Sequence, residues 1–75
     1  MKEIKYWGAT NVESTEYIQE NKYLIVEYTN RKRYLYDPVP IEVWKQLIEA
    51  KSIGQFLYAE IKGKYGYVDV TGLTI

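Results

Sequence analysis

The spacing of apolar residues along the chain switches between an alternating and a helical period, and the switches mark its elements. Residues 12–18 mix short polar and β-prone side chains and read as a polar edge strand, followed by Gln19-Glu20-Asn21-Lys22 with the polarity of a turn. Tyr23-Leu24-Ile25-Val26-Glu27-Tyr28 is dense in β-branched and aromatic residues and gives the clearest strand. Residues 29–32 turn the chain, and residues 33–36 return antiparallel. Ahead of these, residues 1–8 are open between a short strand and a loose arm. Lys2, Ile4 and Tyr6 alternate with Glu3 and Lys5 too briefly to decide.

Two prolines end the strand pattern. Pro38 cannot donate to a ladder and holds Asp37 extended, whereas Pro40 suits a first helical turn. Beyond it Val43, Trp44, Leu47 and Ile48 form one wide stripe at helical spacing, with Glu42, Lys45, Gln46 and Glu49 opposite. Ser52 with Gln55 has the form of a capping box, so a second helix is expected to turn Ile53, Phe56, Leu57 and Ile61 inward. Gly63-Lys64-Tyr65-Gly66 reads as a turn and residues 65–70 as a last strand. The pattern predicts one α+β domain over residues 1–75, β-β-β-α-α-β, with a small antiparallel β-sheet covered on one face by two helices. Val26, Tyr28, Tyr34, Trp44, Leu47 and Phe56 are its expected buried residues.

The hairpin decides where Tyr34 and Tyr36 point, because side chains on a strand alternate. A two-residue Asn30-Arg31 loop demands positive φ at both positions, which arginine disfavours. A three-residue loop over residues 30–32 puts Tyr34 opposite Tyr28 and Tyr36 opposite Val26. Leu24, Val26, Tyr28, Tyr34 and Tyr36 then share one face under the helices, and the two tyrosines are mainly core. Ile25 and Leu35 fall on the other face as adjacent apolar groups. Covering them by self-association, with Trp7 as a further anchor, makes a homo-oligomer the expected state.

Composition adds little core beyond aromatic bulk. With 75 residues and neither Cys nor His, no disulfide or zinc staple is available, and nine Tyr, two Trp and one Phe must supply much of the buried surface. Ten cations balance ten carboxylates, which argues against non-specific coating of nucleic acid but leaves room for a local basic patch. No apolar run approaches the roughly 18 residues of a membrane span, and the first residues show no secretory signal. A cytoplasmic protein with no membrane association is expected.

The ordered set Leu24, Val26 and Tyr28, then Tyr34 and Tyr36, Val39-Pro40, Val43, Leu47, Ala50, Ser52, Gly54, Phe56 and Ile61 resembles the KTSC domain. This family is named for the carboxyl terminus of some lysyl-tRNA synthetases and also occurs as small stand-alone proteins. The resemblance covers about residues 12–61. Three positions depart from it: Glu16 stands where the family has glycine, Arg31 and Lys32 replace turn glycines, and Tyr58 replaces an asparagine. The synthetase context implies RNA as a partner.

The remaining chemistry points away from catalysis. Without His or Cys the usual general base and soft nucleophile are missing, and Ser14 and Ser52 have no activating base at a recognisable spacing. No metal or cofactor is expected; Gly63-Lys64 lacks the spacing of a phosphate-cradling loop. The expected function is a non-catalytic binding module for RNA or another nucleotide-bearing ligand. Arg31, Lys32, Arg33 and Lys64 would hold phosphates, Lys62 is a further candidate contact of the same kind, and Tyr34 and Tyr36 would be the stacking rings if they are exposed. The alternatives are a protein-interaction or homo-oligomeric inhibitor module with Trp7, Ile25 and Leu35 at its interface, or a bacterial or phage protein that sequesters a small nucleotide.

Overall fold

The computed structural model describes residues 1–74. Five strands run β1 (Lys2–Tyr6), β2 (Val12–Ile18), β3 (Tyr23–Tyr28), β4 (Arg33–Asp37) and β5 (Gly66–Asp69). They pair antiparallel in sequence order, β1-β2-β3-β4-β5. Between β4 and β5 come α1 (Ile41–Ile48) and α2 (Ile53–Phe56), the latter running on into a π-helical turn over Leu57–Ile61. The α+β class, the antiparallel sheet and the two helices on one face are as the sequence pattern predicts. One strand is added at the start.

That strand, β1, changes the place of β2. With β1 on one side and β3 on the other, β2 is interior, and Val12, Ser14, Thr15, Glu16 and Tyr17 are all buried. The expected polar edge strand is therefore a central one. Its polar groups are paired: Thr15 Oγ1 accepts from Trp7 Nε1 at 2.9 Å, and the Tyr17 hydroxyl donates to the Val39 carbonyl at 2.6 Å. β1 itself is held by polar rather than apolar contacts on the helical side. Lys5 Nζ donates to the Ile48 carbonyl at 2.7 Å, and Glu3 Oε1 accepts from Trp44 Nε1 at 3.3 Å. Ile4 and Tyr6, the apolar half of the alternation, face outward and are exposed.

Under the helices the core joins Tyr17, Leu24, Val26 and Tyr36 of the sheet to Trp44, Leu47, Ile53, Leu57 and Ile61. Tyr17 stacks on Trp44 with centroids 5.4 Å apart and planes within 11°. The Ser52 cap forms, its hydroxyl accepting from the Gln55 N–H at 3.4 Å. Val26, Trp44 and Leu47 are buried as expected; Tyr28, Tyr34 and Phe56 are only half-buried at the margin.

The β3–β4 hairpin keeps the predicted face and loses the predicted register. Tyr28 N–H bonds to Lys32 O and Arg31 N–H to Tyr28 O, both at 2.9 Å, so the loop is residues 29–31. Arg31 closes it at φ +71°, the left-handed position that usually takes glycine. Tyr34 then lies opposite Val26 and Tyr36 opposite Leu24, two residues along from the expected pairing.

The outer face corrects the interface expectation. Ile25 is fully buried within the single chain and Leu35 is half-buried, so they form no exposed apolar pair. Beside Ile25, Glu16 binds Lys2 Nζ at 2.7 Å and Arg33 Nη1 at 3.1 Å, and the same Arg33 nitrogen reaches Glu27 at 2.8 Å. Glu16, unusual for its place in the resemblance, is accommodated by this ion network. Among the described residues no helix is long and apolar enough to cross a membrane.

Candidate functional site

The helices do not cover the whole inner face. Across β3, β4 and β5 the inward rows end in Tyr28, Tyr34, Tyr36 and Tyr67, whose rings touch one another rather than helix side chains alone. Tyr34 meets Tyr28 edge-on at 5.6 Å and Tyr67 edge-on at 5.2 Å, both near 63°, and Tyr36 lies 5.7 Å from Tyr67. Tyr36 forms the floor at 3% exposure, whereas Tyr67 is 63% exposed. Exposed aromatic rings over a sheet can hold a planar ring by stacked or edge-on contact.

Register explains the gathering. Tyr36 pairs with Tyr67 across β4–β5, and Tyr34 with Asp69, so both β4 tyrosines share a face with the β5 ring. The hydroxyls of Tyr28 and Tyr36 approach to 3.4 Å. Burial, reinforced for Tyr28 by that hydrogen bond, pushes both phenols above their ordinary pKa, so they stay neutral well into the alkaline range.

Lys62 supplies a cation against the rings. The π-turn ends with the Lys62 N–H bonded to the Leu57 carbonyl at 2.8 Å, one residue beyond an α-helical bond, and Gly63 follows at φ +82°. This exit brings the Lys62 ammonium to 5.5 Å from the Tyr28 ring centroid. A cleft of about 290 Å³ is lined by Tyr34, Tyr36, Lys62, Gly63 and Tyr67. Beside it a second, of about 270 Å³, lies against Tyr28, Asn30, Lys32, Tyr34 and Lys62.

The expected basic run is split three ways. Lys32 reaches the tyrosine cluster; Arg31 lines a separate cleft beside Glu13 and Glu27; Arg33 is tied to Glu16 and Glu27 on the opposite face. Burial works against the charge of Arg33, but its bonds to Glu27 and Glu16 outweigh it and raise its pKa. Lys64 pairs with Glu60 at 3.3 Å. Trp7 is half-buried, bonded to Thr15 and covered by Lys5 Nζ 4.4 Å from its centroid, so it serves the fold. Of the proposed ligand residues, then, Tyr34, Tyr36 and Lys32 come together. Lys62, the further candidate phosphate contact, joins them, and Tyr28 and Tyr67 do so without having been singled out as ligands. The strand period of residues 65–70 held the one usable signal, since it sets Tyr67 on a single face.

A larger cleft of about 580 Å³ lies between Trp7, Asn11 and the start of α2. Among the described residues Lys51 is the one charged side chain on it and Trp7 the one aromatic ring, so it lacks the clustered rings of the tyrosine site. Among the described residues no group of three or more Asp or Glu side chains is placed to hold a metal.

The family model described as KTSC domain matches residues 9–65. The crystal structure of a KTSC domain protein from Yersinia pestis superposes with a TM-score of 0.86 at 23% identity, covering 93% of this chain and 99% of that one. No curated protein matches the chain.

Proposed function

The chain belongs to the KTSC domain family, a member of which from Yersinia pestis shares the fold just described, and we propose that it is a non-catalytic binding module that stacks bases of single-stranded RNA, or of another nucleotide-bearing ligand, on its open tyrosine cluster. The observation that carries this is the half-covered set Tyr28, Tyr34, Tyr36 and Tyr67 beside the Lys62 ammonium. Aromatic rings on a sheet beside cations suit bases and phosphates together. A nucleotide held free, for sequestration in a bacterium or phage, would use the same rings. A cytoplasmic setting belongs to the proposal, since RNA and free nucleotides are found there.

Fluorescence anisotropy of a labelled single-stranded RNA hexamer tests it. With Lys62 and Lys32 engaged, binding should weaken with salt at a log–log slope of about −1.4, from roughly 0.7 per phosphate. Lys62→Glu should weaken binding of the hexamer about tenfold or more and leave the melting temperature unchanged. A wild-type protein that ignores RNA and mononucleotides at low salt would refute the proposal.

A second reading has its own observation. Val68, 62% exposed, pairs with half-buried Leu35 on the outer face, on β5 at the end of the strand order. A protein partner, or a second copy, could add a strand there. Light scattering of the wild type against Val68→Lys separates this from a monomeric RNA binder.

A further inference from the structure

Two side chains of the cluster serve both clefts. Tyr34 and Lys62 line the cleft that holds Tyr36 and Tyr67, and they also line the one that holds Tyr28 and Lys32. At about 290 and 270 Å³ the clefts are nearly equal. Both fall at or below the small end of ligand cavities, about 300–1,000 Å³, so neither has room for more than one nucleotide. Tyr34 stands between them as a partition. Its ring is braced edge-on from one side by Tyr28 and from the other by Tyr67, at 5.6 and 5.2 Å. A ring entering either cleft meets tyrosine: Tyr34 with Tyr28 on one side, Tyr34 with Tyr36 and Tyr67 on the other.

The cations are arranged to match. Lys62 is common to both clefts, and its backbone is fixed by the π-turn while its four-carbon stem can swing between them. Lys32 borders only the Tyr28 side. Among the described residues no further cation lines the Tyr67 side. From this geometry we infer that the site takes two consecutive nucleotides of a single strand, one base on each side of Tyr34, with the phosphate that joins them on Lys62. Lys32 meets the phosphate beyond the base on the Tyr28 side, and the footprint ends at Tyr67. The inference rests on the base-stacking function proposed above and adds its length.

Calorimetric titration of the intact protein with AMP, the ribodinucleotide ApA and an oligo(A) hexamer at low salt tests it. Stacking of a second base should make ApA bind about tenfold or more tighter than AMP. The hexamer should gain the Lys32 phosphate contact that ApA lacks and the few-fold that its extra registers provide, roughly tenfold in all. In Lys62→Glu, whose changed side chain is exposed and leaves the fold intact, the advantage of ApA over AMP should collapse. AMP binding as tightly as ApA would overturn the two-base footprint while leaving base stacking in place. A hexamer more than about a hundredfold tighter than ApA would overturn it as well, because the strand would then contact rings or cations beyond the two clefts. No binding by any of the three would remove the proposed function itself.

Discussion

Tyr17 and Tyr34 stand on the same face of the same sheet, two strands apart, and their surroundings differ completely. Tyr17 has no exposed surface, with Trp44 of α1 stacked on its ring and the Val39 carbonyl on its hydroxyl. Tyr34 touches mainly other tyrosines, and the row it heads ends in the open at Tyr67. Both satisfy the strand period, and both contribute apolar area to a small core. The difference lies in what stands above them. A strand pattern selects a face; only the packed helices decide how much of that face is closed. The same residue type thus builds the core at one end of the sheet and leaves a ring-lined surface at the other.

Removing the lid over the closed end should have the largest effect. Trp44→Ala empties a sealed position and should cost about 3–5 kcal/mol, a large share of the roughly 4–11 kcal/mol available to a domain this size. Chemical denaturation would measure it, and a loss below about 1 kcal/mol would mean that the two ends are equally open. Tyr34→Ala should cost only about 1–2 kcal/mol, less than full burial would imply, while removing RNA binding. A loss as large as that of Trp44→Ala would erase the distinction.

Alkaline titration sharpens the comparison through the phenols. Tyr17, Tyr28 and Tyr36 all have raised pKa values in the fold, through burial first of all. Above pH 10, the ordinary value, the unfolded chain releases these protons while the folded one keeps them. Stability is therefore complete below pH 10 and falls as pH rises through the folded values, by several degrees in melting temperature. Tyr28→Phe should fall less steeply. An unchanged slope would show that the Tyr28 hydroxyl is not shielded. The smallest effect is expected at the hairpin tip. Arg31→Gly relieves a left-handed residue at the expense of chain entropy, for a net change within about 1 kcal/mol and no loss of RNA binding.

Much of this contrast was legible in residue order. Alternation in Tyr23–Tyr28 and the return through Tyr34 and Tyr36 put five residues on the right face, and helical spacing found Trp44 and Leu47. Register was not legible, because it hinges on Arg31 taking a conformation that its side chain disfavours. β1 stayed ambiguous for a different reason. Its inward side chains, Glu3 and Lys5, are polar and bind α1, so the apolar alternation points the wrong way. Ile25 misled because its cover comes from elsewhere: its register neighbour Glu16 is tied to Lys2 and Arg33, and no local pattern encodes that network. The ligand cluster was half visible. Tyr34 and Tyr36 stand together in sequence, while Tyr67 and the placing of Lys62 against Tyr28 arrive only through the β4–β5 pairing and the π-turn.

The most direct measurement is an NMR titration of the protein with an oligo(A) hexamer, following every backbone and tyrosine ring resonance. If the open tyrosine cluster is the binding surface, shifts should concentrate at Tyr28, Tyr34, Tyr67, Lys62 and Lys32, with Tyr17 and Trp44 unmoved. Shifts confined to the outer face around Arg33, Leu35 and Val68, or none at all, would contradict it.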